Sequence, residues 1–351
     1  MNLGKIARGA MWLSAAGGLA FAVVAACVPA DTRPVPSSVF LTVAASPVTR
    51  QGLVTEDGWT ITFDKVLVGI GRSSISSSCV RYNEANYDRV LEVSRADPQK
   101  LSVLYGIGRC DVRFRVGTPS SEALLGEGTT DADAVKMRTR AADRWVNRGG
   151  VGLEIAGVAR RGAEEKRFDF VFRPQVRYSA CAPFSDGGSS LIIGGDAGEE
   201  DIDAAIGDSG ADAEPPPPEG IGEVLEGEAA IGRELRIEAE TLFRPGGAGA
   251  RFDPYAAADM DGDGTVTLEE LVRVPIAQVR DGGVFEAGLV TRNDPNAPET
   301  GGRAVAIESL GDYVVVVLLP GVLRYGPTGR CDANLNIDLG RPDGGRDRQR
   351  P

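Results

Sequence analysis

The segment Lys166-Arg-Phe168-Asp-Phe170-Val-Phe172 places phenylalanine at every second position. Only extended backbone sends alternate side chains to one side, so the three rings must share one face of a strand. A strand carrying three large aromatics on one face needs a sheet and a core to cover them. Trp59-Thr-Ile61-Thr-Phe63 repeats the period, and Gly152-Leu-Glu-Ile-Ala-Gly-Val-Ala159 reads as a strand joined to the phenylalanine strand through the turn Arg161-Gly162-Ala163-Glu164-Glu165. Further strands are expected at Leu101–Tyr105, Asp111–Val116, Glu234–Ala239, Ala304–Glu308 and Tyr313–Leu319. The last is an unbroken apolar run, expected as a central strand buried on both faces. One helix is expected from Thr130 as N-cap, through Asp131 and Asp133, to Asn147, closed by Gly149-Gly150. Many short strands and few helices predict a mainly β chain, sandwich- or barrel-like.

The most explicit chemistry lies in Asp259-Met-Asp261-Gly-Asp263-Gly264-Thr265-Val266-Thr267-Leu268-Glu269-Glu270. Calcium takes six to eight oxygens, and a twelve-residue loop can supply them from positions 1, 3, 5, 7, 9 and 12. Those positions hold Asp259, Asp261, Asp263, the carbonyl of Thr265, Thr267 acting through water, and a bidentate Glu270. Gly264 falls at position 6, where the chain turns sharply around the ion. Val266 would anchor the loop to a core, and Thr267 to Leu271 reads as a capped helix start. The loop closely resembles the EF-hand, and the resemblance barely extends beyond it.

Its surroundings set its role. The incoming segment is only Asp253-Pro254-Tyr255-Ala256-Ala257-Ala258, with Asp253 expected as N-cap, and the outgoing helix must end near Pro275. Sensor EF-hands come in pairs with long helices; this loop has short flanks and no second copy. Asp332-Ala-Asn334-Leu-Asn336-Ile337-Asp338 alternates oxygens but has Ile337 where glycine is needed, and reads as a polar strand end. A fixed structural clamp is therefore expected rather than a switch, with Ca²⁺ as the one cofactor.

The chain begins with Lys5 and Arg8, then runs apolar from Ala10 to Ala26 with Ser14 as the polar interruption. That is the layout of a signal peptide, somewhat short for a membrane-spanning helix. It ends in Val24-Ala25-Ala26-Cys27, which resembles a bacterial lipobox, implying an acylated Cys27 and membrane anchorage. Val28 after the cysteine implies sorting to the outer membrane. Cys79, Cys110, Cys181 and Cys331 remain, an even number in an exported chain, which suggests two disulfides without choosing their pairing.

The expected organisation is a signal peptide over 1–26, a tether over 27–39, a β-rich region over 40–184 and an acidic linker over 185–228. A second β-rich region over 229–340 holds the loop, and a disordered tail covers 341–351. Between Asp186 and Glu228 there are thirteen acidic residues and no Lys or Arg, so this stretch carries nearly all of the negative charge left after removal of Lys5 and Arg8. With Pro215 to Pro218 and no aromatic, its composition is that of a self-repelling disordered segment. No basic, aromatic-interleaved face points to nucleic acid. Asp57-Gly-Trp59-Thr-Ile-Thr-Phe63-Asp64, Phe168-Asp-Phe170, Tyr178-Ser-Ala-Cys181 and Thr241-Leu-Phe243 also resemble, more loosely, uncharacterised bacterial lipoproteins that pair a β-rich domain with one EF-hand loop. That match spans roughly 40–335 and brings no established activity with it.

The chain contains no histidine. This removes the imidazole base that Gly207-Asp-Ser209-Gly210 would need as a serine-protease motif, and it removes histidine-ligated zinc catalysis. Gly69-Ile-Gly71 and Gly106-Ile-Gly108 lack the third glycine of a dinucleotide loop. Carboxylate-only hydrolysis remains chemically open, although aromatic platforms for sugars are scarce at 6% aromatic residues. The expectation is a calcium-binding, lipid-anchored envelope protein, a binding or structural module rather than an enzyme. A calcium-dependent hydrolase and a solute-binding or adhesive surface lipoprotein are the alternatives.

Overall fold

Strand Glu164–Phe172 forms as its periodicity requires, with Phe168, Phe170 and Phe172 buried on one face. The computed structural model describes residues 35–75, 80–81, 87–182, 223–225, 230–247, 249–279, 285, 288–292, 303–326 and 329–337. The chain is mainly β, built on two mixed sheets with few helices. The larger sheet runs in the order Thr265–Thr267, Glu164–Phe172, Leu153–Arg161, Thr60–Ile75, Val112–Val116, Gln175–Ala182, Arg330–Asn336. The smaller runs Glu223–Leu225, Gln99–Cys110, Ser37–Ala45, Ala230–Ile237, Leu323–Tyr325. The hairpin of Leu153–Arg161 and Glu164–Phe172 turns at Gly162, whose φ of +60° suits glycine.

Strands from both sides of the acidic stretch share both sheets. Ser37–Ala45 pairs in parallel with Ala230–Ile237, and Gln175–Ala182 pairs antiparallel with Arg330–Asn336. One continuous core takes Val39, Leu41 and Val43 from the smaller sheet and Ile61, Val66, Val68 and Ile155 from the larger. Burying such side chains contributes about 1.5–3 kcal/mol each before conformational entropy is counted. The Cys181–Cys331 disulfide, with an S–S distance of 2.00 Å, ties two neighbouring strands of the larger sheet. Cys110 is also disulfide-bonded, while Cys79 lies outside the described residues.

Several expectations are corrected. Tyr313–Leu319 is not a strand: a capping box between Ser309 and Asp312 starts a helical turn at Leu310, and a wider π turn carries Tyr313–Leu318 before Leu319–Gly321 closes it. A run buried on nearly all sides shows no periodicity to separate strand from helix. The helix begun by Thr130 ends at Arg138, not Asn147. Beyond it Asp143 Oδ1 accepts the N–H groups of Trp145 and Val146, a local turn that competes with helix and delivers Trp145 to the core. The chain expected as strand over Glu234–Ala239 is extended from Ala230 to Ile237, and Ala239 already begins a 3₁₀ turn. Glu223–Leu225, expected in the acidic linker, is a strand paired with Gln99–Cys110.

The signal peptide, Cys27, the rest of the acidic stretch and the tail fall outside the described residues. Among the described residues no helix is long and apolar enough to cross a membrane.

Candidate metal centre

Asp259, Asp261 and Asp263 converge as their spacing predicts, each offering a carboxylate oxygen within 4.8 Å of the other two. The loop owes this to its own backbone bonds. Asp263 N–H donates to Asp261 Oδ1 at 3.1 Å, Gly264 N–H to Asp259 Oδ2 at 3.1 Å, and Thr265 N–H to Asp263 Oδ1 at 2.6 Å. Gly262 and Gly264 take φ of +72° and +83°, the left-handed turns that let three acidic side chains point to one place. Within the strand, Gly264 C=O accepts from Arg167 N–H at 2.8 Å, whereas Thr265 turns its N–H to Asp263. N–H and C=O of one extended residue share an edge, so the carbonyl of Thr265 turns away from Glu164–Phe172, to the side on which its N–H meets Asp263.

Glu270 stands outside the 4.8 Å group. Its Oε2 accepts the N–H of Thr267 at 2.8 Å and the hydroxyl of Thr267 at 2.9 Å, closing the capping box that starts helix Leu268–Arg273. Its other oxygen, Oε1, is buried and has no hydrogen-bond donor among the described residues; Asp259 Oδ1 is in the same condition. Glu270 is 6% exposed. A buried carboxylate oxygen without a donor is costly, and a bound cation is one way to relieve it.

The flanks are as short as expected. Helix Asp253–Ala256 is a single turn and Leu268–Arg273 is six residues. Asp253 is not the N-cap; Phe252 holds that place, and Asp57 Oδ2 accepts the N–H groups of Phe252 and Asp253, both at 2.7 Å. Helix Leu268–Arg273 packs against Leu310–Asp312, where Gly311 is required: a Cβ there would lie 2.8 Å from the backbone nitrogen of Val272.

In place of a second loop, the site leans on a sheet. Thr265–Thr267 adds in parallel to the edge of Glu164–Phe172, pairing Arg167 with Thr265, Phe168 with Val266 and Asp169 with Thr267. Val266 and Leu268 are buried behind it, beside rings that include Phe168, Phe243, Phe252 and Tyr255. Ring pairs at these 5–6 Å separations each contribute about 0.5–1.5 kcal/mol beyond area burial. The same hairpin holds the loop with two cations. Arg161 stacks 4.6 Å over the Trp59 ring and donates to Asp253 Oδ1 at 2.6 Å. Lys166 Nζ donates to Asp259 Oδ2 at 2.6 Å, and the Asp259 side chain is 0% exposed. That bond, reinforced by Coulomb attraction, holds the Asp259 carboxyl below the usual carboxylate range and raises the Lys166 ammonium. Lys166 is the site residue that sequence reading missed: the period of two sets it at the start of the phenylalanine face, with no signal of its partner 93 residues away.

The arrangement is an oxygen-only donor set able to hold a metal ion. The segment Asp332–Asp338, with its alternating oxygens, is for the most part strand Arg330–Asn336. A cavity of about 410 Å³ lies beside the incoming helix, lined by Asp57, Arg251, Asp253 and Gln278 among others. Its two carboxylates are engaged structurally, Asp57 by the capping bonds and Asp253 by Arg161 and by Trp59 Nε1 at 2.9 Å. Comparison with known proteins returns nothing: no family model, curated protein or solved structure matches the chain.

Proposed function

We propose that the loop from Asp259 to Glu270 is a calcium site and that the ion acts as a structural clamp, fastening the loop to the edge of the larger sheet. The observation that carries the reading is the convergence of three aspartates, together with one buried carboxylate oxygen each on Asp259 and on Glu270 of the same loop that lacks a donor among the described residues. Hard oxygen donors, with no nitrogen or sulfur ligand in the group among the described residues, suit calcium over the softer transition metals. Asp259, Asp261, Asp263 and Glu270 supply charge, the Thr265 carbonyl a neutral ligand, and Thr267 a position for a bound water. The ion supplies positive charge to a site the chain leaves short of donors. Short flanks and the sheet partner support a rigid clamp over a sensor that opens.

The site belongs, in this proposal, to a lipid-anchored protein of the cell envelope. That part rests on the Lys5–Arg8 start, the apolar run and Cys27. Labelled palmitate should enter the product and be lost in Cys27→Ser; a Cys27→Ser form that stays membrane-bound defeats the anchor.

Calorimetric titration of calcium into the purified full chain in detergent tests the clamp. Saturable binding with a Kd of about 10⁻⁴ to 10⁻³ M, as in extracellular modules, is expected and should vanish in Asp259→Ala. At tenfold saturation the ion adds about 1.4 kcal/mol to stability, so the melting temperature rises with calcium and falls with chelator. A flat titration and an unmoved melting temperature overturn the proposal.

A further inference from the structure

We propose that Lys166 is a built-in competitor of the metal: its ammonium holds the loop in register when calcium is absent, and calcium binds by displacing it. This rests on the reading of the loop as a calcium site and goes beyond it, because it names what sets the affinity.

The geometry is specific. Lys166 lies on the strand to which Thr265–Thr267 pairs, next to Arg167, which takes the first rung of that ladder. Its Nζ is 2.6 Å from Oδ2 of Asp259, the loop's first ligand position, and the acceptor is wholly buried. The same Oδ2 also accepts the N–H of Gly264 at 3.1 Å, so the lysine adds to a bond that shapes the turn at position 6. An ammonium and a divalent ion cannot share that buried carboxylate closely without mutual repulsion, even though Asp261 and Asp263 are exposed. One must give way. The doubly charged ion gains more from the converged carboxylates, whereas a monovalent cation has no such charge advantage over the lysine. Selectivity against sodium and potassium then comes from an internal cation as well as from loop shape.

The displaced ammonium has somewhere to go. Lys166 is 21% exposed along its side chain, and Glu164, two residues earlier on the same face of the strand, also attracts it. The long apolar stem lets the charged end swing toward solvent while the methylenes stay packed. The strand ladder need not move, so calcium exchanges one cation for another within a fixed frame.

The test is calcium titration of the full chain in detergent, comparing the parent, Lys166→Met, Lys166→Arg and Asp259→Ala. Removing a charge-assisted bond that competes with the ion should tighten calcium binding about tenfold or more in Lys166→Met, while Lys166→Arg stays near the parent. Without calcium Lys166→Met should melt below the parent, and with saturating calcium the gap should close. A second readout follows the displaced group: calcium should speed amine-specific labelling of Lys166 in the parent, resolved by peptide mapping. Equal affinities in parent and Lys166→Met, with labelling indifferent to calcium, overturn the competitor role while leaving the calcium site intact. No binding in any of the proteins overturns the calcium reading and the competitor with it. If Lys166→Met folds only with calcium present, circular dichroism through the titration shows a calcium-dependent folding transition that the parent lacks, which supports the proposal.

Discussion

Phe168 and Val266 are register partners in a three-residue parallel ladder, and both are buried, Phe168 at 1% and Val266 at 0% exposed. One is the middle of strand Glu164–Phe172 and the other lies at position 8 of the loop. Their pairing makes the loop an extra strand of the sheet, so the ion's ligands and the aromatic core are joined through one short stretch of backbone. Phe168 also meets Phe63, Phe170, Phe243 and Phe252 at centroid distances of 5.3–6.1 Å.

Replacing Phe168 with Ala should therefore act at two places. Loss of a buried aromatic with an incompletely collapsing cavity costs about 3–5 kcal/mol. Because Val266 loses its backing, calcium affinity should fall as well. Urea unfolding and calcium titration of the same variant check both; a loop that binds calcium with unchanged affinity in the destabilised variant would show that it folds independently of the sheet.

Asp143 makes a separate prediction about pH. Burial pushes its carboxyl above the ordinary range, against the lowering effect of hydrogen bonds from Val146 and Trp145. Its Oδ2 is buried with no donor among the described residues. A raised folded-state pKa means that the ionised form is penalised at neutral pH and that the penalty is relieved as pH falls through the folded value toward the unfolded one, near 3.9. Asp143→Asn keeps an oxygen to accept the two N–H groups and removes the charge. It should be at least as stable as the parent at pH 7, with the difference shrinking toward pH 4, measured as urea midpoints. A variant that is less stable at pH 7 contradicts this account of Asp143.

What could be read without coordinates follows from range along the chain. The phenylalanine strand, its hairpin turn at Gly162 and the convergence of Asp259, Asp261 and Asp263 were legible because their causes lie within a few residues: a period of two, a left-handed turn, ligand spacing. Tyr313–Leu319 was misread because uniform burial erases the period. The parallel pairing of Ser37–Ala45 with Ala230–Ile237, the hold of Arg161 on Asp253 and the contact of Lys166 with Asp259 join residues far apart in sequence, where one chain carries no local signal. The helix from Thr130 was correct at its start, where the capping box is local, and wrong at its end, where Trp145 is drawn into the core.

The Trp145 contact leads to a stability prediction. Asp312, 2% exposed, accepts Arg144 Nε at 2.7 Å, Trp145 Nε1 at 3.2 Å, and the N–H and hydroxyl of Ser309 at 3.1 and 2.9 Å. Asp312→Ala strips the acceptor from all of these at once and leaves a buried indole N–H and the Ser309 N–H without partners. The expected cost is about 3 kcal/mol or more, with Asp312→Asn losing less because it keeps one acceptor oxygen. Chemical denaturation measures it; a loss in Asp312→Ala no larger than that of a solvent-exposed Asp→Ala change would remove Asp312 as an anchor.

The disulfide between Cys181 and Cys331 separates the staple from the clamp. It closes a chain segment 150 residues long, so its removal frees the unfolded state and should cost about 3–5 kcal/mol in a Cys181→Ser, Cys331→Ser double variant. In the order of the larger sheet, Arg330–Asn336 stands at one end and Thr265–Thr267 at the other. Sites so far apart with no shared partner are close to additive. Calcium affinity should consequently stay within about twofold of the parent while the urea midpoint drops. If affinity falls together with stability, the loop depends on the tension of the whole sheet rather than on the hairpin that carries Arg161 and Lys166, and the local clamp is wrong.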